Sequence, residues 1–289
     1  MESRKVSHRM KTGLVLEGGA MRGIYTAGVL DVLDKNKIHF DGVIGVSAGA
    51  LHGCSFVSGQ RGRSLRYFKK YRNDKHFMSI WNLVHTGEVV GTQLCYHDIP
   101  ERLDPYDYEA FLKSDTDFYV VCTNLETGKA EYVKVTDMMN QIDVMRASAS
   151  MPFVSKIVEY QGMKLLDGGC ADSVPVQKFR QMGYTKTVVV LTREDGYCKK
   201  PQNAAVAELK YRKYPKFAET LKNRHIEYNQ TLEEIRKLEK AGEIFVIRPS
   251  VKLTISRMEN DINEIQKVYD IGKKDAETQL EALKNWLSV

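Results

Sequence analysis

A chain of 289 residues with 43% hydrophobic and 28% charged side chains can bury a sizeable core as one large domain or two small ones. Its net charge of +6 is a mild basic bias, and without a zinc finger, an aromatic-basic RNA motif or a Gly-rich phosphate loop with Lys, nucleic acid is not an expected partner. No apolar window of about 18 residues predicts a membrane-crossing helix, the polar first ten residues lack the apolar core of a secretory signal, and five cysteines without CxxC or HExxH fit free thiols in a reducing cytoplasm, with no resident metal or cofactor.

Residues 1–11 read as a loose basic arm, followed by a single domain over 12–289. Gly13–Glu17 is a buried strand that runs into Gly18-Gly19-Ala20-Met21-Arg22-Gly23, and Ile24–Asn36 then shows helical spacing at Ala27, Leu30, Val32 and Leu33. A second strand enters Gly45-Val46-Ser47-Ala48-Gly49. Residues 61–113 contain no clean strand and carry Tyr67, Phe68, Tyr71, Phe77 and Trp81. They predict helices and loops, either a cap beside a pocket or an ordinary insertion with an aromatic core. Asp117–Asn124 and Ala130–Val135 around the Glu126-Thr127-Gly128-Lys129 turn form a hairpin. Gln141–Ala149 is helical and stops before Pro152. Lys164–Asp167 is a short strand ending in Gly168-Gly169, and Thr185–Thr192 is a central strand. Gln202–Ala241 is helical with a break at Pro215, Glu243–Ile247 is a last strand, and apolar spacing over 250–289 predicts two closing helices. Strands alternating with helices imply a mostly parallel sheet covered on both faces, a three-layer α/β/α architecture.

The G-x-S-x-G stretch is the strongest chemical signal. Strand, sharp turn and small-residue helix hold the Ser47 hydroxyl out at the top of a sheet beside a helix N-terminus, and Gly45 and Gly49 relieve collisions on so tight a turn. The same stretch also reads as a plain glycine-rich turn. A serine nucleophile needs a base. Seven histidines are available, but His8 lies in the arm and His52 lies about 140° around its helix from Ser47, at 100° per residue. Only His225 follows an acid in the order Ser, acid, His, and none sits in a glycine-rich loop at a strand end. Asp167, followed by Gly168 and Gly169, is the candidate base acting directly. Asp172 competes with it, and Asp167 can equally be a turn residue. The loop Gly18–Gly23 offers backbone N–H groups for an oxyanion, with Arg22 adding positive charge. Its alternative reading is a dinucleotide or phosphate loop, although it lacks a clean G-x-G-x-x-G. The segment Lys199–Lys240 carries 11 Lys/Arg against 6 Asp/Glu, a solvated helix face or a surface for peripheral contact with anionic membrane.

Leu16-Glu17-Gly18-Gly19-Ala20-Met21-Arg22-Gly23, Gly45-Val46-Ser47-Ala48-Gly49, Ala147-Ser148-Ala149-Ser150-Met151-Pro152-Phe153 and Asp167-Gly168-Gly169, in this order, resemble the blocks of the patatin-like phospholipases, in particular the bacterial branch. The resemblance spans residues 13 to about 249. It implies a Ser–Asp dyad with Ser47 as nucleophile and Asp167 as base. It also implies an oxyanion hole from Gly18, Gly19 and their neighbours, and hydrolysis of lipid acyl esters of the phospholipase A or lysophospholipase type. Ala20 stands where the family usually has a third glycine. Acyl transfer through the same acyl-enzyme, and a catalytically silent lipid-binding protein, are the alternative expectations. Oligomeric state is not legible.

Overall fold

The computed structural model describes residues 10–288. Residues 1–9 of the expected arm, His8 among them, lie outside the described residues. The elements in chain order are β1 (Thr12–Leu16), α1 (Gly23–Lys35), β2 (Gly42–Val46), α2 (Ala48–Val57), α3 (Arg63–Tyr71), α4 (Ile80–Thr86), α5 (Tyr108–Lys113), β3 (Asp117–Asn124), β4 (Ala130–Val135), α6 (Ile142–Ser148), β5 (Val158–Tyr160), β6 (Met163–Asp167), α7 (Val176–Gln181), β7 (Lys186–Val190), α8 (Ala204–Lys210), α9 (Pro215–Lys240), β8 (Ile244–Ile247) and α10 (Ile262–Ser288). A π-helical stretch, Leu94–Leu103, lies between α4 and α5.

One sheet carries the order β5-β6-β3-β2-β1-β7-β8, with β4 paired to β3. β2, β1, β7 and β8 run parallel to one another and to β3; β4, β5 and β6 form the antiparallel part. Alternation along the strands sends side chains to two separate cores. Leu14 and Leu16 pack with Ile24, Leu33 and Val268 on one face, whereas Val15 and Ile44 pack with Phe179, Leu232 and Ile235 on the other. The expected three-layer α/β/α architecture is therefore the observed one.

The pairing along β3 positions the site. β2 pairs with β3 from Asp117 to Val121. β6 pairs with β3 from Cys122 to Asn124, running in the opposite direction. β4 pairs across both stretches and so occupies the other edge of β3. β2 and β6 thus meet head to head along one edge, each with its C-terminal end at the Val121–Cys122 step. Ser47 follows β2 and Asp167 ends β6, so two residues 120 positions apart in sequence share that step.

Two details differ from the sequence expectations. The two closing helices are one, α10. Gly272, in the gap of its apolar pattern, does not break the helix. A Cβ there would lie 2.1 Å from the Tyr25 carbonyl oxygen, so the glycine is the point of closest approach to α1. The short elements β5 and α7 were not expected; at 3 and 6 residues they are too brief to show a period. Residues 61–113 do form helices and loops, with Phe68 and Phe77 in edge-to-face contact at 5.3 Å.

Candidate active site

Ser47 sits between β2 and α2 with φ 53° and ψ −123°, a strained conformation for a non-glycine residue. Close packing enforces it. A Cβ on Gly45 would meet the Ala50 Cα at 2.5 Å, and one on Gly49 would meet the Leu16 carbonyl oxygen at 2.4 Å. These two contacts explain the glycines of the motif. Although Ser47 occupies the N-cap position of α2, its hydroxyl makes no capping bond. It donates instead to Asp167 Oδ2 at 2.7 Å. The Ser47 N–H donates to Ser148 Oγ at 2.8 Å, and Ser148 in turn donates to the Val121 carbonyl at 2.6 Å. Ser148 therefore ties the strained turn to the neighbouring strand. Sequence reasoning placed Ser148 in a motif block but gave it no role; a buried Ser just before a helix end carries no signal of its partner.

Asp167 is held from every side. Its Oδ1 accepts from the Gly169 N–H at 2.8 Å, its N–H donates to the Ser150 carbonyl at 2.9 Å, and its carbonyl accepts from Thr123 Oγ1 at 2.8 Å. Gly168 has no room for a side chain, since a Cβ would fall 2.1 Å from the Val121 carbonyl. Burial pushes the Asp167 carboxyl above the usual carboxylate range, against the pull of the Ser47 hydroxyl, Arg224, the Gly169 amide and Arg257. Asp172, the competing acid, lies apart and accepts from Tyr132 at 2.8 Å.

Among the described residues no histidine is hydrogen-bonded to Ser47. His225 is bound to the Lys222 carbonyl. His52 is buried against Phe68 with its Nδ1 unpartnered, and burial pushes it down to about 4.

The glycine loop divides. The amides of Gly18 and Gly19 have no protein acceptor among the described residues, and a Cβ on Gly18 would stand 3.1 Å from Ser47 Cβ. The Arg22 amide is bound to the Gly19 carbonyl, and the Gly23 amide to the Ala20 and Met21 carbonyls. Of the loop amides expected over Gly18–Gly23, those of Arg22 and Gly23 are therefore already taken up within the loop. Ala20 adopts φ 48°, the left-handed conformation that a glycine would take without strain.

Two cavities meet at Ser47, and Ala20, Ser47 and Met151 line both. One, about 120 Å³, is apolar and runs under the cap between Leu51, Tyr96, Ile99 and Met145. The other, about 480 Å³, reaches Asp167 and is lined by Arg22, Arg193, Lys199, Lys200, Arg224 and Arg257. Lys199, Lys200 and Arg224 belong to the basic segment Lys199–Lys240, and the fold joins them to Arg22, Arg193 and Arg257, which lie outside it.

The patatin-like phospholipase family model matches residues 14–180, which include Ser47 and Asp167. The chain belongs to the patatin-like phospholipase family. A second model, described as a domain of unknown function, matches residues 214–288. The uncharacterized protein YjjU of Escherichia coli is 30% identical over 187 residues, covering 63% of this chain and 51% of that protein. Lysophospholipase NTE1 of Cryptococcus neoformans is 27% identical over 190 residues, covering 62% of this chain and 11% of that protein. This patatin-like chain thus matches about half the length of the first relative and about a tenth of the second. The crystal structure of VipD from Legionella pneumophila superposes with a TM-score of 0.49 at 12% identity, over 95% of this chain and 67% of that one.

Proposed function

We propose that this protein is a serine acyl hydrolase that cleaves carboxylic ester bonds of lipids through Ser47 and Asp167. The observation that carries the reading is the 2.7 Å hydrogen bond from Ser47 Oγ to Asp167 Oδ2 where an apolar cavity and a polar cleft join. Asp167 takes the hydroxyl proton as Ser47 Oγ attacks the ester carbonyl carbon. The resulting oxyanion is met by the amides of Gly18 and Gly19. Collapse expels the alcohol, which leaves with the proton from Asp167, and the acyl group stays on Ser47. Water then attacks the acyl-enzyme, Asp167 takes its proton, and the carboxylic acid departs as that proton returns to Ser47. The raised affinity of Asp167 for a proton suits a base, since it draws the group toward neutral pH. The acyl chain occupies the apolar cavity, and the family's membership and the likeness to NTE1 lysophospholipase support a lipid ester as substrate.

Turnover of p-nitrophenyl esters and labelling by a fluorophosphonate probe test the reading. Wild type is expected to turn over the esters and to be labelled at Ser47, and Ser47→Ala to lose both while keeping its circular dichroism. Wild-type turnover by Ser47→Ala ends the proposal. If His225→Ala abolishes activity and Asp167→Asn does not, a histidine-based triad replaces the dyad.

A further inference from the structure

The polar side of Ser47 is unusual in its charge. Six cations line the cleft, Arg22, Arg193, Lys199, Lys200, Arg224 and Arg257, and among the described residues none has a carboxylate within ion-pair distance. The Arg22 Nε is buried without a partner. Two carboxylates reach the cleft, and both are committed. Glu17 accepts from the Tyr228 hydroxyl and the Thr192 N–H, each at 2.5 Å. Asp167 accepts from Ser47 and Gly169. The aromatic faces are committed too: the Arg193 guanidinium lies 4.1 Å from the Tyr197 ring and the Lys199 ammonium 4.3 Å from the Tyr228 ring. Burial, then the nearby Arg224, pushes Lys199 down to about 7, against the opposing pull of Glu17.

We propose that this cleft is a head-group site for phosphate-bearing lipid esters of net negative charge, and that it discriminates against zwitterionic ones; the inference rests on the hydrolase reading above. An anionic phosphate gains charge-assisted hydrogen bonds from cations that hold no close ion pair, although Arg224 also donates its Nε to the Gly169 carbonyl. A quaternary ammonium finds neither of the features that recognise it. Among the described residues lining the cleft neither carboxylate is free, and the two tyrosine faces that could cage it already carry the protein's own cations. None of the six cations except Arg22 falls within residues 14–180, so the preference belongs to this chain's later segments rather than to the part matched by the patatin-like model; Arg224 and Arg257 lie within the second model's range.

The test compares kcat/KM on 1-oleoyl lysophosphatidate and 1-oleoyl lysophosphatidylcholine, with p-nitrophenyl butyrate as an ester without a head group. Wild type is expected to favour the phosphomonoester by tenfold or more, roughly the worth of one charge-assisted contact. Added KCl should erode that ratio. The double variant Arg193→Gln/Arg257→Gln should bring the ratio close to one, while Lys35→Gln, at the far end of α1, keeps it. Equal rates in wild type, or a ratio indifferent to the double variant, overturn the proposal. Calorimetry on Ser47→Ala separates this outcome from failure of the hydrolase reading, because it should bind lysophosphatidate in preference to lysophosphatidylcholine whether or not wild type cleaves either. Failure of Ser47→Ala to discriminate overturns the head-group site, and so does binding of inorganic phosphate as tight as that of lysophosphatidate, which would make it a site for the free anion.

Discussion

The two cavities that meet at Ser47 are built by different means. The apolar one comes from neighbouring stretches of the cap and from α2 and α6, where Leu51, Tyr96, Ile99 and Met145 are gathered by burial of apolar surface. The basic one is assembled from a glycine loop and the later part of the chain, and among the described residues none of its six cations forms a close ion pair. Apolar burial stabilises the fold while making a cavity. Unpaired cations do not, because like charges held together repel. Such a cluster makes sense where something else supplies the anion, so the comparison assigns packing to one side of the serine and recognition to the other.

The sharpest way to break the comparison is to remove the acid bonded to the serine at which the cavities meet. Asp167→Asn is nearly isosteric but cannot take a proton, and ester turnover is expected to fall by about 10²–10⁴. In the parent protein kcat/KM should drop as pH falls through the pKa of Asp167, on a limb above the ordinary carboxylate range, because burial raises it. Stability should respond with the opposite sense. A carboxyl whose folded pKa is raised binds protons more tightly in the folded state, so its contribution weakens as pH rises through the window between the two values. Asp167→Asn should therefore lose no melting temperature at neutral pH and should flatten the pH dependence in that window. A melting temperature that falls steeply in Asp167→Asn would show the carboxylate to be structural.

The apolar side is sharpened by chain length. Each methylene buried is worth about 0.8 kcal/mol, so kcat/KM for p-nitrophenyl esters should rise about fourfold per methylene until the cavity is full. Leu51→Trp, which fills the cavity beside Ser47, should remove that gain, about sixty-fold over three methylenes. If the slope survives the tryptophan, the acyl chain lies elsewhere.

A smaller effect is expected at the support of the turn. Ser148→Ala leaves the Ser47 N–H and the Val121 carbonyl without their buried partner, which should cost about 1–3 kcal/mol in stability. It should also lower kcat by about tenfold, the size of one such lost interaction, through a displaced Ser47. Unchanged denaturant midpoints would mean that the strained turn is held by packing alone.

What could be read from the sequence divides along the same line. The central strands, the hairpin and the α/β/α layering were legible because long buried runs and glycine turns leave local patterns, and Ser47 and Asp167 were legible because each sits in one. β5 and α7 were not, being too short for a period. The unity of α10 was hidden by Gly272, whose role is set by Tyr25 far away in the chain. Within the site, the roles of Ser148, Thr123 and Glu17 depend on partners brought together by the head-to-head meeting of β2 and β6 or by α9, and no local spacing encodes them. The basic cleft is the extreme case: its members come from Arg22 to Arg257, and a helix-bound Arg224 looks like any solvated arginine until the sheet places Gly169 beneath it.

Ala20 offers the finest adjustment. Ala20 lines both cavities, and its φ of 48° carries a strain of roughly 1–2 kcal/mol for a residue with a Cβ. Ala20→Gly removes that strain, but the freer glycine in the unfolded chain gives back about 0.5–1 kcal/mol. The net expectation is a gain of about 0.5 kcal/mol, or a rise in melting temperature of one to two degrees. Ala20→Val, which puts a β-branched residue at a positive φ, should destabilise clearly. A lowered melting temperature in Ala20→Gly would mean that the methyl's contacts outweigh the strain, making Ala20 part of the partition between the two cavities. A raised one would mean that the alanine is tolerated at this seam against its own backbone preference.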